Sequence, residues 1–253
     1  MSSHAHDTIV LSKRSLRHVL RSPDTIVTSA VTPIALLLLF VYVFGAAIEV
    51  GGTDYVDYLL PGVLLITVAS GVSYTAFRLF TDVSGGIVER FRSMPISRPA
   101  VLWSHVLTSV VATLASLAIV VGVAVLIGFR SGAGPLAWLA VLGLVTLFTL
   151  ALTWLALIPG LTSRTVDGVS GFSYPLIFLP FVSSAFVPTT GMPSALRWFA
   201  DHQPVTPIVN TLRGLLAEQP VGRDGWLAVA WCLMILAAAY LLATRIYART
   251  LAQ

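Results

Sequence analysis

The residues that could do chemistry are few and scattered. His4, His6, His18, His105 and His202 lie in a tail, an apolar run and a connecting segment, and offer no metal-ligand spacing. Cys232 is the single cysteine, so neither a disulfide framework nor a cysteine metal site can form within one chain. Lys13 is the single lysine and no GxxxxGK[ST] loop surrounds it, which leaves no phosphate loop for hydrolysing ATP. HExxH and GxSxG are absent too. Asp57 and His105 are the ionisable residues inside apolar runs, each near a run's end. A proton- or ion-driven carrier would place carboxylates near the membrane midplane. These two positions suit an interfacial or capping aspartate and a packed histidine better. The expectation is a chain that is not an enzyme and binds no cofactor, with its energy supplied from outside.

The remaining chemistry is that of docking another protein. Residues 81–99, TDVSGGIVERFRSMPISRP, form a polar island between two long apolar runs. Ser84, Gly85 and Gly86 break the preceding helix. Ile87, Phe91 and Met94 then fall on one stripe of a short helix, with Glu89, Arg90 and Arg92 opposite. Pro95 and Pro99 close the segment. A short amphipathic helix tied to two membrane spans is a part on which a partner can push.

The elements that hold this island follow from composition. Of 253 residues, 57% are hydrophobic and only 10% charged, against about 25% charged in soluble domains. The predicted fold is all-α, one polytopic membrane domain over residues 1–253 with six transmembrane helices. Their expected ranges are 25–47, 55–77, 100–128, 136–158, 169–187 and 226–244. Pro175 and Pro180 predict a kink in the fifth. Residues 1–23 read as an interfacial helix, with Ile9, Leu16, Val19 and Leu20 on one face and Lys13, Arg14, Arg17 and Arg21 on the other. Eleven Lys and Arg fall on the side of both termini and residues 81–99, against four in the opposite loops. The positive-inside rule puts both termini in the cytoplasm. The net charge of +4 is thus explained by topology, and no basic face remains for nucleic acid.

Residues 188–225 fall on the outer side but are not an ordinary hydrophilic loop. Met192, Trp198 and Phe199 open a short helix with an apolar face, and Ile208, Val209, Leu212, Leu215 and Leu216 make a second helical stripe. Each is too short to span the hydrocarbon core. The expectation is a re-entrant hairpin dipping in from the outer face between spans five and six, the alternative being two helices flat on the outer leaflet.

With GGIVERFRSMPISR at 85–98 and SSAFVPTTGMPSALRWFADHQPVTPIVNTLRG at 183–214, nearly the whole chain resembles the permease subunits of type-2 ATP-binding-cassette exporters, the daunorubicin/doxorubicin-resistance permeases among them. The resemblance implies a bacterial plasma-membrane exporter with a cytoplasmic ATPase subunit in two copies, which carries ATP and magnesium. It also implies a second permease chain, identical or a sister. The coupling surface carries over to Glu89, Arg90, Phe91, Arg92 and Met94, with Arg14 and Arg17 on the interfacial helix. Glu89 stands among arginines where related exporters often have a more acidic segment. Tyr74, Phe77, Phe172, Tyr174, Phe178 and Phe181, on spans two and five, would suit an amphipathic drug-like or lipid-like cargo at a dimer interface surrounded by membrane lipid. Two readings of other classes stay open: a self-sufficient secondary carrier or channel, and a membrane protein that sequesters a drug without moving it.

Overall fold

The computed structural model describes residues 23–45, 54–85 and 98–250. Among these every regular element is helical. Helix α1, Pro23–Leu39, runs on into a wider π turn, Phe40–Phe44. Helices α2 (Tyr55–Ser84), α3 (Arg98–Leu126) and α4 (Pro135–Thr162) are long. Helix α5, Val166–Phe178, tightens into a 3-10 turn at Leu179–Val182. Two short helices follow, α6 (Ser194–His202) and α7 (Val205–Leu216), then the long α8 (Gly222–Thr250).

Four of these helices, α2, α3, α4 and α8, are long and apolar enough to cross a membrane. The run expected as span one is helical from Pro23 through Phe44, and the run expected as span five comes out shorter, as the apolar helix Val166–Val182. In the fifth, proline explains the shortfall: Pro175 lies inside α5 and Pro180 inside the 3-10 turn, and neither has an N–H to continue the ladder. The second, expected over 55–77, is longer, for α2 continues to Ser84 and ends where the Gly85 N–H bonds the Thr81 carbonyl at 2.9 Å. Helix α3 starts at Arg98 with Pro99 in its first turn, a position that needs no N–H.

Helix α2 is the hub. It packs against α1, α3, α4, α5 and α7, and 78% of its span is covered by protein, against 22% for α8. Close approach explains its glycines. A Cβ on Gly62 would lie 2.7 Å from the Ala185 Cβ, and one on Gly71 would lie 2.5 Å from Thr113 Oγ1. Between apolar helices in lipid, small residues and hydroxyl bonds supply the cohesion that water would otherwise drive. Thr75 donates to Ser109 at 2.6 Å, joining α2 to α3, and Ser29 and Ser116 hydroxyls meet at 2.7 Å, joining α1 to α3. Other hydroxyls bond back into their own helices, as Thr67 does to the Val63 carbonyl at 2.8 Å and Thr149 to Val145 at 2.7 Å.

The helices alternate in direction, so the bundle has two ends. At one, the hairpin end, α2 begins and α6 and α7 sit. At the other, α2 ends and α3 begins.

Candidate functional site

The α6–α7 pair is asymmetric. Helix α6 buries only Ala200, whereas α7 buries Val205, Thr206, Pro207, Ile208, Val209, Thr211, Leu212 and Leu216. Its apolar stripe therefore packs inside the bundle, against α2, α4 and α8. Helix α7 is thus a packed part of the bundle, while α6 lies mostly uncovered.

Arg213, on the flank of that stripe, is the centre of a polar knot. Its Nε and Nη2 donate to the Tyr58 carbonyl at 3.2 and 3.1 Å. Nη2 also donates to the Ser184 carbonyl at 2.8 Å and reaches that of Ala185 at 3.4 Å. The guanidinium carbon lies 3.7 Å from the centre of the Tyr58 ring. Tyr58 Oη donates to the Ser184 carbonyl at 3.0 Å, and Tyr55 Oη to that of Phe186 at 3.3 Å. Ser184 donates to Asn210 Oδ1 at 2.7 Å, while Asn210 Nδ2 donates to Asp224 at 2.9 Å. No carboxylate lies within ion-pair distance of Arg213 among the described residues. Its charge is met by carbonyl dipoles and a ring face, and by Asp224 only through Asn210. The Ser184 and Ala185 carbonyls are free to accept because the chain has just left its helix at the proline-broken end of α5, whereas that of Tyr58 lies in the first turn of α2.

A second tie sits between α6 and α7. Gln203 Nε2 donates to the Val182 carbonyl at 2.5 Å and reaches that of Leu179 at 3.4 Å, so the tip is fastened to the broken end of α5. The turn between α3 and α4 closes the rim. The Arg130 N–H bonds Asp57 at 3.3 Å, Ser131 bonds the Leu216 carbonyl at 2.9 Å, and the Gly134 N–H bonds Glu218 at 2.9 Å. Asp57 thus joins two segments at a bundle end, in keeping with an interfacial residue.

The opposite end is sparser. His105 Nε2 lies 3.4 Å from Asp82 Oδ2, with the histidine nearly buried and the aspartate about one-third exposed. This pair joins the last turns of α2 to the first turns of α3. Deeper in, Trp154 packs edge-on to Trp103 and Tyr240 at 5.2 and 4.7 Å.

The six aromatics picked out by sequence do not form one cluster. Tyr74 and Phe77 are 41% and 40% exposed on α2, and Tyr174 and Phe178 are 62% and 61% exposed on α5. Phe172 is partly buried against the core. Phe181 stacks on Phe186 at 4.7 Å, and Phe186 on Phe40 at 4.8 Å, which ties the π turn of α1 to the end of α5. Four of the six are thus uncovered, and Phe172 and Phe181 serve packing. The coupling residues Glu89, Arg90, Phe91, Arg92 and Met94, and Arg14 and Arg17, lie outside the described residues.

Sequence reading passed over Arg213, Asn210, Tyr58 and Gln203. One signal was available: an arginine beside an apolar stripe in a segment expected to enter the membrane is a functional candidate by default.

The family model for the ABC-2 type transporter matches residues 6–217. The chain is 30% identical over 198 residues to a daunorubicin resistance ABC transporter permease protein of Streptomyces coeruleorubidus, covering 77% of this chain and 69% of that one. It is 25% identical over 215 residues to a Mycobacterium tuberculosis protein named "Probable doxorubicin resistance ABC transporter permease protein", covering 85% and 78%.

Proposed function

The chain belongs to the ABC-2 type transporter family, and on that premise we propose that it is the permease of an exporter whose ATPase is a separate subunit. The family match across residues 6–217 carries the reading. The long apolar helices support a membrane-integral chain, and the family implies an ATP-binding-cassette partner. In this proposal there are six spans, α1 with its π turn being the first and α5 with its 3-10 extension the fifth. Both termini and residues 81–99 face the cytoplasm of a bacterial plasma membrane, and α6–α7 is the re-entrant hairpin on the outer side. Two ATPase subunits, holding ATP and magnesium, grip two permease chains. They act through Glu89, Arg90, Phe91, Arg92 and Met94, with Arg14 and Arg17 alongside.

ATP-driven closure of the ATPases then pushes residues 81–99. The push enters α2 and α3 at the end where His105 faces Asp82. Since α2 touches most of the bundle, it carries the motion to the knot around Arg213. The cargo is an amphipathic, drug-like molecule, a class supported by the names of the relatives. The uncovered rings of Tyr74, Phe77, Tyr174 and Phe178 on α2 and α5 would meet it beside a second permease chain.

The test is purification from the native membrane, mass spectrometry, and transport in vesicles. An ATPase subunit should co-purify, and Phe91→Asp should abolish ATP-dependent transport while leaving insertion and abundance unchanged. A chain that purifies alone and transports in ATP-depleted vesicles would be a secondary carrier instead. Drug resistance untouched by Phe91→Asp would point to sequestration.

A further inference from the structure

A cavity of about 350 Å³ lies beneath the tip of the α6–α7 pair, between α4, α5 and α8. Pro204 and Val205 contribute from the first turn of α7, Leu176 and Pro180 from the broken end of α5, Leu152 from α4 and Ala238 from α8. Every residue around it is apolar. None of the six aromatic candidates for the cargo path borders it.

The lining decides what can enter. A site for a drug-sized amphipathic molecule needs a few convergent polar groups to orient it, and a buried polar group without a partner is costly. This space offers no partner to any polar group. A saturated or unsaturated hydrocarbon chain asks for none. Left empty, such a space forfeits dispersion contacts along each of its walls.

The mouth decides the source. Ala238 and Leu242 border the cavity and are both exposed, so the opening lies on α8. Helix α8 is the least covered of the four long apolar helices, and Leu233, Met234 and Leu241 continue its uncovered apolar face. In a membrane-integral chain that face meets lipid tails. We propose that the cavity holds one acyl chain of a bilayer phospholipid, threaded past Ala238 and Leu242 with its headgroup outside, which supports the hairpin tip from below. Gln203, next to Pro204, fastens the same tip to α5. The tip thus has a polar tie on one flank and a hydrocarbon cushion on another.

The experiment uses the full chain in phospholipid nanodiscs doped with a phosphatidylcholine bearing a diazirine at the end of one acyl chain. After photolysis, labelled peptides are mapped by mass spectrometry. Label should appear on α4 and α7 near Leu152 and Val205, as well as on the uncovered face of α8. Ala238→Phe fills the mouth from an exposed position and should remove most of the α4 and α7 label, with the label near Leu233 unchanged as an internal control. Leu242→Trp, another mouth residue, should do the same, and thermal melts of both variants check that the bundle is intact. Label confined to α8, or unaffected by either variant, overturns the proposal. So does loss of label accompanied by disulfide formation between Ala238→Cys chains, which would seat a second copy there. Displacement of the probe by a single-chain amphipathic cation at concentrations too low to perturb the bilayer would make this a cargo site and overturn the lipid assignment.

Discussion

Each end of the bundle holds one ionisable side chain that a membrane protein would ordinarily avoid, and the two are treated differently. At the hairpin end Arg213 is held by backbone carbonyls from two distant segments and by the face of Tyr58. At the opposite end His105 has a single carboxylate at 3.4 Å, itself partly open to solvent. A guanidinium presents a rigid fork that can satisfy several acceptors at once. Removing it takes a charge-assisted bond from each of them. A lone pair beside solvent loses little when broken, because water replaces the partner. The hairpin end is therefore built to hold one geometry, and the other end to tolerate change. That division suits a machine pushed at one end and sealed at the other.

The sharpest way to break the comparison is Arg213→Met. It removes the charge-assisted bonds to the Tyr58, Ser184 and Ala185 carbonyls and should cost about 3 kcal/mol, the upper range for hydrogen bonds to a charged group. A large fall in the melting temperature of the solubilised chain should accompany loss of transport. Arg213→Lys should recover only part of it, because one ammonium cannot span the same acceptors. Full recovery by lysine would reduce the knot to a simple charge.

Next in size is Gly62→Ala. The added methyl group would meet Ala185 at 2.7 Å, beside the carbonyls that Arg213 binds. Overpacking of this kind costs about 1–3 kcal/mol. Ala185→Gly in the same chain should restore most of the loss, measured as a double-mutant cycle of unfolding free energies. No coupling between the two would mean that α2 and the turn at Ala185 part without strain. His105→Asn should be milder, about 1 kcal/mol or less, since Asp82 keeps its access to water. The comparison predicts a split: near-normal melting with altered ATP-dependent transport. A melting loss as large as that of Arg213→Met would erase the difference between the ends.

What sequence made legible was whatever depends on side chains in a regular period. Apolar runs located the long helices, and the stripe Ile208, Val209, Leu212, Leu215 and Leu216 located α7, with four of the five now fully buried. Prolines located the break in α5. Arg213 stayed hidden because all its partners but Asn210 Oδ1 and the Tyr58 ring are carbonyls 28 to 155 residues away, and backbone acceptors leave no mark on residue identity. As one of four bases in the outer loops it also looks ordinary, since charge asymmetry ignores what a base touches. Cavities are equally silent, for the one beneath the hairpin tip arises from how five elements fail to close. The coupling residues remain a sequence-level expectation.

The smallest predicted effect tests the rim. Glu218 follows α7 and is the only non-glycine residue with positive φ among those described, at 54°. Such a conformation costs an ordinary side chain on the order of 1 kcal/mol. Its carboxylate accepts from the Gly134 N–H at 2.9 Å, a contact worth a similar amount at an exposed site. Glu218→Ala removes the bond and keeps the strain, so it should destabilise by about 1 kcal/mol. Glu218→Gly removes both and should lie within a few tenths of the unaltered chain. The gap between the two variants, read by thermal unfolding, measures the strain less the extra unfolded-state entropy of glycine. If alanine and glycine behave alike, the left-handed turn is not held against resistance, and the rim closes by its hydrogen bonds without stored strain.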